Sequence, residues 1–169
     1  YYMASAIIHL CVAKKINNYL EMDEKLLSLG AIAPDISKLV GETKVKSHFL
    51  NSNNEDDIPD CDRFIQKYKS ELNNPFDLGY LVHLLTDKYW FRDYIPYYMK
   101  RYTKEEDVSY VAMISLIYND YTRLSQDLID DYMLDLYFFC NEFSYPKSKI
   151  SEILMDKLGI LTENMGLIV

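Results

Sequence analysis

The residues of this chain whose types and spacing could do chemistry are its three histidines and a small set of carboxylates. His83 and Asp87 stand four apart in Gly79-Tyr80-Leu81-Val82-His83-Leu84-Leu85-Thr86-Asp87. On a helix that spacing places both on one face, with Cβ atoms about 5–6 Å apart. An imidazole nitrogen and a carboxylate oxygen so placed can hold one metal ion. Asp35 follows the rigid step Ala33-Pro34, and His48 lies in Ser47-His48-Phe49 at the end of the same stretch. His9 sits in the apolar run from Ala6 to Ala13, and Asp120 interrupts another, Ile117 to Tyr121. Taken singly, each residue has an ordinary alternative. His9 and His83 read equally as hydrogen-bonded core histidines, Asp35 as a turn cap, His48 as a loop residue, and Asp120 as a helix-face acid paired with Arg123.

Positioning these groups requires helices. Glycine and proline number only 5 each in 169 residues, which favours long helices over many short strands. The fold class read from the pattern is all-α, a single-domain multi-helix bundle spanning residues 1–169. The first helix runs from about Ala4 to Leu20. A second starts after the N-cap Asp23 and ends near Gly30. Residues 31–58 read mostly as loop, long enough to suggest function. Another helix is expected from about Pro59 to Leu72. Asn74-Pro75 is a start signal for a mostly apolar, central helix that carries His83 and Asp87. Pro96 should break or kink it. Thr103-Lys104-Glu105-Glu106 reads as a capping box opening a helix to about Leu124. Further helices are expected from about Asp127 through Phe139 and from Tyr145-Pro146 to about Leu158.

Composition narrows the function. The net charge is −8; residues 1–50 hold 6 basic and 5 acidic side chains, leaving 12 and 21 for the rest. That acidic excess argues against duplex nucleic acid, whose binding needs Lys and Arg to replace counterions. It also argues against anionic membranes, and no apolar run reaches the roughly 18–20 residues of a span. No secretory leader pattern is visible at the start, where Tyr1-Tyr2 precede Met3. The three scattered cysteines form no Cys-x-x-Cys motif and no disulfide framework, so a reducing cytoplasm is the simplest expected compartment. Lys44 and Lys46, beside His48, are candidates to offset a phosphate charge.

The phrases fall in a telling order: an apolar helix with His9, then Ala33-Pro34-Asp35, then Ser47-His48-Phe49, then Gly79-Tyr80-Leu81-Val82-His83 through Asp87. Over about residues 3–125 this order resembles the zinc-dependent phospholipase C family. It resembles more distantly the zinc-dependent single-strand nucleases of that superfamily. The closest likeness is to a bacterial cytoplasmic branch of hydrolases. The resemblance implies that Asp35, His48, His83 and Asp87 ligate one zinc, and that Asp35 also serves as general base. It implies that His9 and Asp87 serve a second zinc, together in the family with the amine of a mature N-terminal tryptophan. This chain begins Tyr1-Tyr2-Met3 and has no histidine after His83, where the family uses two more histidines and a glutamate. Asp93 and Asp120 stand near those places. Asp93 lies six residues past Asp87, about 120° around a straight helix, so Asp120 is the preferred further ligand. A carboxylate-rich site of one or two ions admits zinc first, with iron or manganese as alternatives.

The function expected is therefore a metal-dependent hydrolase of a phosphoester, acting on a small soluble substrate through a metal-activated water. The alternatives are a catalytically degenerate metal- or ligand-binding helical domain, and a helical interaction module with core histidines.

Overall fold

The computed structural model describes residues 3–54, 57–102, 109–140 and 144–166. Among them every regular element is helical and no strand occurs. The elements that carry the chemistry are α1 (Met3–Leu20), α2 (Glu24–Ile32), α3 (Ile36–Leu39), α4 (Cys61–Tyr68) and α5 (Pro75–Tyr89). They are followed by α6 (Ile95–Tyr102), α7 (Tyr110–Asp131) and α8 (Leu158–Gly166). No helix of the described residues is long and apolar enough to cross a membrane.

The caps form where local chemistry predicts them. The Asp23 carboxylate accepts from Leu26 N–H, and the Asn74 side chain accepts from Phe76 N–H, with Pro75 in the first turn. The stretch after α2 is more ordered than a loop. A 3₁₀ turn, Ala33–Asp35, carries the chain directly into α3. Gly41, with φ +76°, closes α3 in the left-handed conformation that glycine adopts without penalty. There the Glu42 N–H reaches the Ser37 carbonyl, in the manner of a Schellman cap.

Three helix boundaries differ from expectation. Five residues of π-helix, Trp90–Tyr94, join α5 to α6 in one uninterrupted helical run, so Pro96, the second residue of α6, does not end the helix. α7 continues to Asp131, so Asp127 starts no helix; only a 3₁₀ turn, Tyr137–Cys140, follows. The segment after Tyr145-Pro146 is not helical, and the last helix begins at Leu158. The expected capping box at 103–106 lies outside the described residues; the described cap of α7 is Ser109, which accepts from Ala112 N–H.

α2 and α5 form the most extensive helix pair. They cross at Gly30 and Gly79, where the two backbones touch. A Cβ on Gly79 would collide with the Leu27 carbonyl oxygen, and one on Gly30 with the Phe76 carbonyl oxygen. Below this crossing, Phe64 stacks on Tyr80 with ring centroids 5.3 Å apart, and Phe49 meets Phe64 edge-on at 5.1 Å. These rings belong to the main core cluster.

The non-helical segment after Tyr145 is strapped over α4 and α5 by polar bonds. Ser148 donates to Asp77, and Asn74 donates to the Lys147 carbonyl. Glu152 accepts from Tyr68 at 2.5 Å and from Lys67 at 2.6 Å. Burial pushes the Glu152 carboxyl up, but the bonds from Lys67 and Tyr68 outweigh it and hold the group below its ordinary value. A carboxyl lowered on folding adds stability above its unfolded pKa and loses it as pH falls through the folded value. Glu152→Gln is therefore expected to cost on the order of 1 kcal/mol at pH 7, with Lys67 half exposed and screened. That difference should shrink below about pH 4. Urea denaturation of both proteins at the two pH values checks this; a pH-independent difference would contradict it.

Candidate metal centre

Four segments deliver five ligand-bearing side chains to a common point. α1 brings His9, the 3₁₀ turn brings Asp35, the 44–50 turn brings His48, and α5 brings His83 and Asp87. His48 and His83 are 0% exposed, His9 4%, Asp35 7% and Asp87 9%. Ionisable groups are this deeply buried only when paired or bound to metal.

Two groups of side chains could each hold an ion, Asp35 with His48 and His83, and Asp87 with His9 and His83, and the two share His83. His48 Nε2 lies 3.1 Å from His83 Nε2 and 3.3 Å from Asp35 Oδ1. Asp87 Oδ2 is 3.6 Å from His48 Nε2 and 3.7 Å from His83 Nε2. His83 Nε2 is 3.9 Å from Asp35 Oδ1. Tetrahedral ligands about 2.0–2.1 Å from a zinc ion stand roughly 3.3–3.4 Å from one another. The five separations bracket that value. The donor set of two imidazoles and two carboxylates also suits zinc, iron or manganese.

The histidine tautomers support the same conclusion. His83 Nδ1 lies 2.7 Å from the Ala31 carbonyl, which can only accept, so Nδ1 carries the proton. The Nε2 lone pair is thereby left facing the cluster. His48 Nδ1 contacts Ser47 Oγ at 2.9 Å, and Ser47 Oγ contacts Ser37 Oγ at 3.0 Å. Such outer partners orient metal-binding histidines. Asp35 Oδ1 and His9 Nδ1 are buried with no hydrogen-bond partner. Two buried carboxylates aimed at buried imidazole nitrogens form a donor set that a divalent cation would suit.

The electrostatics are strongly perturbed. Burial would raise the Asp35 carboxyl, but the Lys38 ammonium, 2.5 Å from Oδ1, with His48 and His83, holds it well below the carboxylate range. Asp87 is likewise lowered against its burial by His83 and His9. Burial drives His48 down and His83 well down, which favours the neutral forms that can ligate.

The remaining expected residues fall into place around this point. His9 stacks on His83 with ring centroids 3.8 Å apart, and its Nε2 is 3.4 Å from Asp87 Oδ1. Asp87 thus presents one oxygen to the His48 and His83 nitrogens and the other to His9. Asp120 belongs to neither candidate ligand group; on α7 it accepts from the Tyr98 hydroxyl at 3.2 Å. Asp93 is exposed and paired with Arg92 at 2.8 Å. Lys44 is buried with its ammonium over the Phe91 ring, whereas Lys46 is exposed.

Two features hold the cluster in register. The Tyr80 hydroxyl donates to the Ser47 carbonyl and so ties the His48 turn to α5. Phe49, beside His48, adopts φ +55°, a left-handed conformation that costs a non-glycine residue about 1–2 kcal/mol. Its ring, buried against Phe64, offsets that cost.

The cluster borders a cavity of about 350 Å³, within the range of small-molecule sites. Asp87 and His9 reach its surface, beside Lys38, Lys44, Glu42 and aromatic rings that include Trp90 and Phe91. Sequence reasoning missed Lys38. Its signal was the spacing of three from Asp35, which on a helical turn brings the two side chains together. No family model, curated protein or solved structure matches the chain.

Proposed function

We propose that this protein is a metal-dependent hydrolase of a phosphoester, as its resemblance to the zinc-dependent phospholipase C family implies. The observation that carries the proposal is the convergence of Asp35, His48, His83 and Asp87 at metal-ligand separations beside a small-molecule cavity. His48, His83, Asp35 and Asp87 would hold the first ion, and His9 with the outer oxygen of Asp87 would contribute to a second. A divalent ion held there would lower the pKa of a water and polarise a phosphoryl oxygen. Asp35 would accept the proton of the water that attacks phosphorus; as the ester P–O bond breaks, that proton would pass to the departing alkoxide. Burial favours the neutral form of His48 and His83, and the serine and carbonyl partners fix both rings. The cavity favours a small soluble substrate, and the acidic surface fits a cytoplasmic protein that engages neither duplex nucleic acid nor a membrane.

One observation favours the alternative, a binding domain without turnover. Lys38 contacts the same Asp35 oxygen that faces the cluster, which competes with a role as base. Elemental analysis and a panel of phosphomonoesters and phosphodiesters separate the two. The hydrolase is expected to carry stoichiometric zinc, iron or manganese and to lose turnover in chelator. Stoichiometric metal with no turnover on any ester would establish the binding domain instead.

A further inference from the structure

We propose that Lys38 is the anion-binding residue of the cavity, exchanging its contact with Asp35 for an oxygen of a phosphate group when the cluster carries a cation. This inference rests on the proposed metal centre but not on turnover. The Lys38 ammonium lies 2.5 Å from Asp35 Oδ1, the atom that stands 3.3 Å and 3.9 Å from the two histidine Nε2 atoms. That oxygen cannot serve an ion among the histidines and keep the ammonium at full strength, because the two positive charges repel across one atom. The contact is a short, charge-assisted ion pair. Lys38 is the C2 residue of the four-residue helix α3, and the cap at Gly41 fixes its backbone.

The displaced ammonium has somewhere to go. Its side chain is 23% exposed, and it lines the cavity bordered by His9 and Asp87. A flexible four-carbon stem allows the ammonium to swing from the carboxylate toward the cavity while remaining beside the cluster. The other carboxylate lining the cavity, Glu42, is exposed and lies past the α3 cap, where solvent weakens its claim on the charge. Buried Lys44, packed over Phe91, adds positive potential at the cavity. An oxyanion entering the cavity would meet the bound cation on one side and Lys38 on the other. A phosphate group, with several anionic oxygens, is the ligand class that can engage both at once.

The test is calorimetric titration of inorganic phosphate into the zinc-loaded protein, with zinc content measured in parallel. Lys38→Gln is expected to keep its zinc and weaken phosphate binding about 10- to 100-fold, as loss of a charge-assisted hydrogen bond implies. Lys38→Arg should restore most of the affinity, and Glu71→Gln, paired with Lys149 away from the cavity lining, should leave it within about twofold. Equal phosphate affinity in wild type and Lys38→Gln overturns the inference, as does the absence of phosphate binding by the zinc-loaded wild type. Failure of the wild type to retain zinc would sink it together with the metal centre. Zinc retained and phosphate bound through Lys38, with no ester hydrolysed, would reject only the reaction.

Discussion

The His83→Ala variant is expected to show the same Tm in excess zinc as in chelator, whereas the native protein should separate the two conditions by about 5–10 °C. An ion that binds only the folded state stabilises by RT ln(1 + [L]/Kd), about 2.7 kcal/mol at a hundredfold excess over Kd. For a chain of this size each kcal/mol moves Tm by about 2–4 °C. His83 supplies the Nε2 that lies within 3.1–3.9 Å of three other candidate ligand atoms, and the Ala31 carbonyl fixes its tautomer. Its removal takes away a nitrogen donor and the ring on which His9 stacks. The variant will also be less stable in both conditions, because a fully buried ring is lost. The difference between zinc and chelator, measured by calorimetric scans, is therefore the quantity to read. Asp120→Asn should keep the whole difference, since Asp120 is bonded to Tyr98 and belongs to neither ligand group. A His83→Ala protein that still gains several degrees from zinc would remove His83 from the site.

Gly79→Ala is expected to lower stability by about 3 kcal/mol or more, with a fall in Tm on the order of 10 °C. Overpacking a core commonly costs less, because side chains rotate aside. Here the added methyl meets backbone: the Leu27 carbonyl oxygen, with Ala31 N at 2.9 Å and Gly30 Cα at 3.0 Å. Relief requires α2 and α5 to separate. Separation would lengthen the Ala31-to-His83 contact from its 2.7 Å, so the variant should also lose metal affinity, by about 10–100-fold as for other outer partners. Guanidinium unfolding and zinc titration of Gly79→Ala test the coupled loss. A variant that unfolds at the native midpoint, or that loses stability with unaltered zinc affinity, would show that the crossing does not set the site.

Much of the helical frame was legible because its signals are local. Asp23 and Asn74-Pro75 announce helix starts through a side chain and a ring that act within three residues. The His83 and Asp87 pair followed from helical periodicity alone. The chain after Asp127 was not legible, because no local feature distinguishes a helix start at Asp127 from continued helix through it. The straps at Asp77–Ser148 and Tyr68–Glu152, which hold the Tyr145 segment out of helix, join residues far apart in sequence. The π-segment at Trp90–Tyr94 was likewise hidden, since a sequence pattern carries no mark of one extra residue per turn. At the site, residue type and spacing could nominate Asp35 and His48, and only the family resemblance joined them, because their meeting depends on α3, its cap and the Tyr80 bond to Ser47. Asp120 drew attention as an acid in an apolar run; the run packs against α6, and the acid finds a tyrosine there.

The meeting of α2 and α5 at Gly30 and Gly79 has a consequence for how this kind of centre is to be found in other chains. The position of the His83 ring is referenced to a main-chain carbonyl, and the distance to that carbonyl is set by two residues that lack a side chain. Neither part of that reference is a metal ligand, so a search keyed to histidine and aspartate alone would pass over half of what specifies the site. A signature that adds glycine at the two crossing positions, one turn before the histidine and just before the accepting carbonyl, would separate chains able to aim the imidazole from chains that merely contain one.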